Sequence, residues 1–139
     1  MTLSPRLAAI VDALPITPDL RILEIGCGTG AAARAVAARL GTGHILAIDR
    51  SEKAVAQARA ASAAEIASGR MSVRRAAAED FEPEPGEGPF DIVFAVRVGA
   101  LDGRYPEAGR KAMPRIIAAL TPGGRLFIDG GDPLREISV

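Results

Sequence analysis

The segment Glu24-Ile25-Gly26-Cys27-Gly28-Thr29-Gly30-Ala31 places one carboxylate just ahead of three glycines at alternate positions. Glycines at that spacing let the backbone turn sharply and let a ligand approach without meeting a Cβ. The N–H groups of a helix that follows such a turn face the ligand's negative group. Asp49 lies about 20 residues further on, where a carboxylate accepts hydrogen bonds from ribose hydroxyls. Taken alone, Gly26-x-Gly28-x-x-Ala31 satisfies a dinucleotide fingerprint with alanine in the third position. A turn that merely joins strand to helix is the simpler reading, and Asp49 weighs against it.

Positioning these groups requires a strand before the glycines and a helix after them, and the flanking pattern supplies both. Leu7, Ile10, Val11 and Leu14 recur at i, i+3, i+4 and i+7 behind Ser4-Pro5, which predicts a helix over 4–14 ended by Pro15 and Pro18. A β-type run at 21–25 meets the glycines, and helix resumes over 31–40 until Gly41. The alternation repeats: strand 44–48 ending in Asp49, an alanine-rich helix capped by Ser51 and fading at Ser68-Gly69, and a weaker strand 71–75. Proline and glycine make 82–89 a surface loop, and 91–96 is a buried strand. A helix over 106–120, expected to kink or split at Pro114, turns through Thr121-Pro122-Gly123-Gly124 into strand 125–129. Five strands interleaved with helices describe an α/β protein with a parallel sheet.

A chain of 139 residues is one domain, 1–139, against roughly 100–200 residues per domain. Hydrophobic residues make up 48% and charged residues 24%, so a packed core is expected. Seventeen basic residues balance seventeen acidic ones, which excludes a field able to grip a polyphosphate backbone. One cysteine excludes an internal disulfide and a cysteine-built zinc site. No stretch approaches the 18 or so apolar residues that cross a bilayer, and 7–11 is too short for a secretory segment. A cytoplasmic protein without a membrane partner is expected.

Five partial motifs in order carry a resemblance. Glu24-x-Gly26-x-Gly28-x-Gly30, the hydrophobic run 45–48 ending in Asp49-Arg50, the acidic turn Ala76-Ala77-Ala78-Glu79-Asp80-Phe81, the strand Phe90-Asp91-Ile92-Val93, and Leu120-Thr121-Pro122-Gly123-Gly124 span about 22–129. Together they resemble the class I, Rossmann-like S-adenosylmethionine-dependent methyltransferases. The resemblance implies a three-layer fold with strand order 3-2-1-4-5 and S-adenosylmethionine as cofactor, with S-adenosylhomocysteine as product. It implies cofactor contacts from Glu24, Gly26, Cys27, Gly28, Gly30, Asp49, Arg50, Ala78, Glu79 and Ala95. Glu24 would repel a pyrophosphate and attract the cationic methionyl end. Ala77 stands where the family usually has aspartate, which leaves adenine to the backbone at Ala78 and Glu79.

Family members commonly carry two more strands, whereas ten residues follow Asp129 and 136–139 can at most add a short one. The sheet is therefore expected to lack most of the usual C-terminal strands, with the fifth an open edge inviting a homodimer or partner protein. Nothing in 95–102 matches the Asn/Asp-Pro-Pro-aromatic motif of enzymes that methylate nucleic-acid amino groups. With zero net charge, this points to a small-molecule acceptor and away from nucleic acid. No catalytic residue is assigned; Arg97 as an anion anchor, Asp102 as a base and Tyr105 as a packing surface are candidates.

Other residues take blander roles. Cys27 is either a thiol activated by the helix N-terminus or, as we favour, a small residue facing cofactor or core. His44 and Asp91 begin their strands, away from the crevice, and read as structural. Glu79-Asp80 lacks a histidine partner, so no metal is expected, and Arg74-Arg75 reads as ordinary strand edge. Tyr105 and Lys111 are six apart rather than four, which weakens an NAD(P)-dependent oxidoreductase, the alternative enzyme. A non-catalytic S-adenosylmethionine-binding partner subunit is the other alternative.

Overall fold

The computed structural model describes residues 3–139. β1 (Arg21–Ile25) is central, flanked in parallel by β2 (His44–Asp49) and β4 (Phe90–Ala95). β3 (Met71–Arg75) adds to β2 and β5 (Leu120–Asp129) to β4, both parallel. A sixth strand, β6 (Leu134–Ile137), completes the order 3-2-1-4-5-6. Strands covered on both faces need apolar residues at every position, which is why β1 is buried from Ile22 to Ile25, with Glu24 the one charged exception.

Alternation along the strands sorts the core into two layers. Ile22, Ile45, Ala47, Ile92 and Phe94 face α1 (Pro5–Ala13), α2 (Ala31–Ala37) and α3 (Glu52–Ala61). Leu23, Ile48, Val93 and Leu126 face the other way, towards Ala112, Ile116 and Ala119. By the same alternation Glu24 shares the face of Ile22, beneath α1 and α2. The Ser4 cap is observed, its hydroxyl accepting from the Leu7 N–H at 3.2 Å.

Several elements depart from the sequence reading. The sheet is mixed, because Gly130 (φ +108°) and the residues after it reverse the chain and β6 runs antiparallel to β5, from Leu126↔Ile137 to Asp129↔Leu134. Arg125 pairs with Glu136 across this seam at 2.8 Å. The fifth strand is therefore not an edge, and the ground for expecting a second copy there is removed. The alanine-rich helix is two, α3 and α4 (Ala63–Ala67), because buried Ser62 leaves helical geometry at φ −111°, ψ 22° and its hydroxyl accepts from Arg34 Nη1 at 3.0 Å.

After the one-turn helix α5 (Gly99–Asp102) comes α6, which spans Pro106–Ala119 without a break. Pro114 lies on its exposed side, where water can satisfy the carbonyl that the ring leaves without an N–H. The Pro-Gly-Gly segment belongs to β5 as an irregular stretch: pairing runs Phe90↔Leu120, then resumes at Ile92↔Arg125.

At the opposite end of the sheet, Asp91 accepts from the Arg21 N–H at 2.9 Å. The His44 ring nitrogens lie 2.7 Å from the Gly69 carbonyl and 2.8 Å from Ser72 Oγ. Arg74 is more than strand edge. It donates to Glu87 at 2.7 and 2.8 Å and to the Glu82 carbonyl at 2.7 Å, and its guanidinium lies 5.2 Å from the Phe81 ring centre. It thus fastens the proline-rich loop to β3. Arg74→Ala is expected to lower stability by about 2 kcal/mol, the scale for charge-assisted hydrogen bonds lost from a half-buried partner. Urea denaturation of the two proteins reads this directly; unchanged midpoints would mean the loop is held by its own turns.

Candidate functional site

The C-terminal strand ends gather the residues singled out above. The amides of Gly26 and Cys27 both donate to the Ile48 carbonyl, at 2.8 and 2.9 Å, strapping the glycine loop to β2. Gly26 takes φ +71°, and a Cβ there would stand 2.6 Å from Val98 Cγ2. At Gly28 (φ +56°) a Cβ would meet nothing within 4 Å, so the backbone there borders open space. Asp49 holds the corner together: one carboxylate oxygen accepts from the Gly28 N–H and the other from the Ser51 N–H, both at 2.9 Å.

Two cavities open on either side of this loop. The first, about 500 Å³, is lined by Glu24, Gly26, Cys27, Gly28 and Thr29, with Ser4, Arg6 and Leu7 of the α1 end forming its opposite wall. The second, about 330 Å³, takes Asp49, Arg50, Ala78, Glu79 and Tyr105. Gly26 and Arg97 border both cavities and mark their junction. Gly30 and Ala95 border neither. A side chain at Gly30 would run into Arg34, Ala58 and Ser62, and Ala95 is buried in the core.

Glu24 is 3% exposed, and its Oε1 has no hydrogen-bond partner among the described residues. Burial, reinforced by the negative charge of Asp49, pushes its carboxyl up to about 8. Below that pH it is therefore a neutral acid in the free protein, whereas the sequence reading treats it as a standing charge. Burial, with Glu24 and Asp49 nearby, pushes the Cys27 thiol up to about 12. Only about one thiol in 10⁴ is then ionised at pH 8. We expect Cys27 to resist iodoacetamide at pH 8 in the folded protein and to react readily in urea. Equal rates would place the thiol in an electropositive, open setting.

Around Arg97 the backbone is clamped. Its φ of +57° is the one positive value at a non-glycine position among the described residues. Its N–H donates to Asp129 Oδ1 and its carbonyl accepts from Arg104 Nη2, both at 2.9 Å. The second Asp129 oxygen pairs with Arg6 at 2.6 Å, tying α1 to the end of β5. Asp102 is gripped by Arg104 Nε at 3.0 and 2.9 Å, which holds its carboxyl below the usual range, and it borders neither cavity. That setting is a poor one for a general base. Tyr105 borders the second cavity, its ring so close over Gly99 that a Cβ there would lie 2.2 Å from it.

Residues the sequence reading passed over include Arg6, Thr29, Arg104 and the pairing role of Asp129. The position of Asp129 at a strand's carboxyl end was the available signal; nothing local indicates that α1 folds across the strand ends. No group of three potential metal ligands occurs among the described residues. No described helix is long and apolar enough to cross a membrane.

A methyltransferase-domain family profile matches residues 22–124. Nocamycin O-methyltransferase of Saccharothrix syringae is 36% identical over 131 residues, covering 91% of this chain and 44% of that protein. Protein-L-isoaspartate O-methyltransferase of Methylorubrum populi is 37% identical over 126 residues, covering 91% and 52%. This chain thus spans about half the length of the relatives it matches. Among solved structures, phosphoethanolamine N-methyltransferase 2 of Haemonchus contortus, in complex with S-adenosyl-L-methionine, superposes with a TM-score of 0.68 at 28% identity. The match covers 88% of this chain and 27% of that one.

Proposed function

We propose, for a chain that belongs to the class I methyltransferase-domain family, S-adenosylmethionine-dependent methyl transfer to a small-molecule acceptor in the cytoplasm. The observation that carries the reading is the pair of cavities meeting at Gly26, one holding an unpartnered buried carboxyl and the other holding Asp49. The residues fit the cofactor's chemistry. Glu24 offers an acceptor to an ammonium group, Gly28 leaves backbone-lined space, and Asp49 keeps lone pairs for ribose hydroxyls after its two backbone bonds. Arg50, Ala78 and Glu79 wall the nucleoside side, with Cys27 as an inert small neighbour on the other.

When bound, S-adenosylmethionine supplies a methyl group on a positively charged sulfur, already activated for in-line displacement. The chain's share is then alignment and exclusion of water. The Ser4–Leu7 wall narrows the first cavity, and the clamped backbone at Arg97 fixes the junction where an acceptor would arrive. The two relatives are named for O-methylation, which supports an oxygen acceptor.

Calorimetric titration with S-adenosylhomocysteine, NAD and NADP tests the reading. Micromolar binding of S-adenosylhomocysteine alone is expected, followed by label transfer from S-adenosylmethionine in an acceptor screen. Binding only to NAD or NADP would overturn it in favour of an oxidoreductase. Tight S-adenosylhomocysteine binding with no transfer to any acceptor would favour a non-catalytic subunit.

A further inference from the structure

Fifteen arginines occur in the chain. Among the described residues, the guanidinium groups of Arg50, Arg97 and Arg135 alone lack a hydrogen-bond or ion-pair partner. Arg135 borders no cavity, and Arg50 borders the nucleoside side. Arg97 is different in kind. Its backbone adopts a left-handed conformation that is strained for a residue with a side chain and persists only when its surroundings over-determine it. Three charged groups do so: Asp129 takes its N–H, Arg104 takes its carbonyl, and Asp102 holds Arg104. The result is a residue with an unneutralised guanidinium that borders both cavities, with Arg6, which also borders the first, a second cation already paired to Asp129.

We propose that Arg97 is a specificity-determining residue that binds an anionic group, carboxylate or phosphate, on the methyl acceptor. The proposal rests on the methyltransferase reading above and names the acceptor class for the same site. A guanidinium presents a planar fork of donors matched to either oxyanion. Fixing the backbone beforehand lowers the ordering cost of using that fork. Asp129, which accepts the Arg97 amide, has its other oxygen engaged by Arg6 and makes no ion pair with the Arg97 side chain.

The test titrates citrate and inorganic phosphate, at ionic strength matched with sodium chloride, into the protein with and without saturating S-adenosylhomocysteine. Arg97→Asn removes the charge while keeping a residue tolerant of positive φ; Arg97→Lys keeps the charge, and Arg135→Gln serves as control. Expected is anion binding above the chloride background, weakened at least tenfold in Arg97→Asn, partly kept in Arg97→Lys and unchanged in Arg135→Gln. S-adenosylhomocysteine affinity should change less than threefold throughout. The stronger of the two anions assigns the group. Anion binding no better than chloride, or equal in wild type and Arg97→Asn, overturns the proposal. A tenfold loss of S-adenosylhomocysteine affinity in Arg97→Asn also overturns it, since the guanidinium would then serve the cofactor's carboxylate. Failure of the wild type to bind S-adenosylhomocysteine strikes the parent reading instead, and the titrations without it still decide the role of Arg97.

Discussion

Asp49→Ala is expected to weaken S-adenosylhomocysteine binding at least tenfold, about 1.4 kcal/mol, and to loosen the glycine loop at the same time. The two effects share a cause. The carboxylate that faces the second cavity is also the acceptor for the Gly28 and Ser51 amides. The Ser51 amide is exposed and the Gly28 amide half-buried, so water replaces part of what is lost and the stability cost should be about 1–2 kcal/mol. Asp49→Asn separates the contributions. Its single carbonyl oxygen can serve one amide, while its NH₂ opposes the other, so it should regain part of the stability and little of the affinity. Calorimetry and urea denaturation on the three proteins read both quantities. Unchanged affinity in Asp49→Ala would remove Asp49 from the ligand site and leave it as a loop tether.

Glu24 should make the free protein's stability fall as pH rises. Its carboxyl is pushed from the ordinary 4.5 to about 8 by burial first and Asp49 second. The folded state therefore holds the proton more tightly than the unfolded chain. The contribution is fully present below pH 4.5 and is lost progressively as pH climbs through 8. Its full size is on the order of 5 kcal/mol, taking about 1.4 kcal/mol per pH unit. Denaturation midpoints measured from pH 5 to 9 should decline for wild type and flatten for Glu24→Gln, which keeps the shape without the titration. Ligand binding should run the other way. An ammonium group placed against Glu24 favours the ionised form, so S-adenosylhomocysteine affinity should rise between pH 6 and 8 in wild type and not in Glu24→Gln. A flat wild-type stability profile would mean that Glu24 reaches water in solution. Because Asp49 contributes to the shift, Asp49→Ala should also move the midpoint of the decline to lower pH.

What could be read from sequence was what neighbouring residues decide. Helix caps, glycine turns and the Ile- and Val-rich runs announce themselves locally, and so the first five strands and the position of the glycine loop followed from pattern, while the order of those strands came from the family resemblance. Breaks set by distant partners did not. The helix stop at Ser62 depends on Arg34, 28 residues away. Pro114 passes inside α6 because its side of the helix faces solvent, a fact about packing rather than composition. β6 was legible only as a possibility because a four-residue strand exists through its pairing with β5. Glu24 and Asp49 sit at motif positions, and each lines one of the two cavities. The link from Arg6 to Asp129 spans 123 residues and leaves no local trace. Asp102 looked like a free acid until Arg104, two residues on, turned out to grip it.

The Arg6–Asp129 contact also divides the site into parts of unequal permanence. The glycine-loop side is fixed through its own amides, which donate to the Ile48 carbonyl and to the Asp49 carboxylate and tolerate little change in the loop itself. The facing wall is one helical turn held through side chains, by the Arg6–Asp129 ion pair and by Leu7 packed on the core that Val11 and Leu14 enter. Substitutions at Ser4, Arg6 and Leu7 can therefore reshape what enters beside the cofactor while leaving the cofactor's own cradle intact. On the methyl-transfer reading, these three positions are a second place, besides Arg97, at which acceptor choice can be retuned.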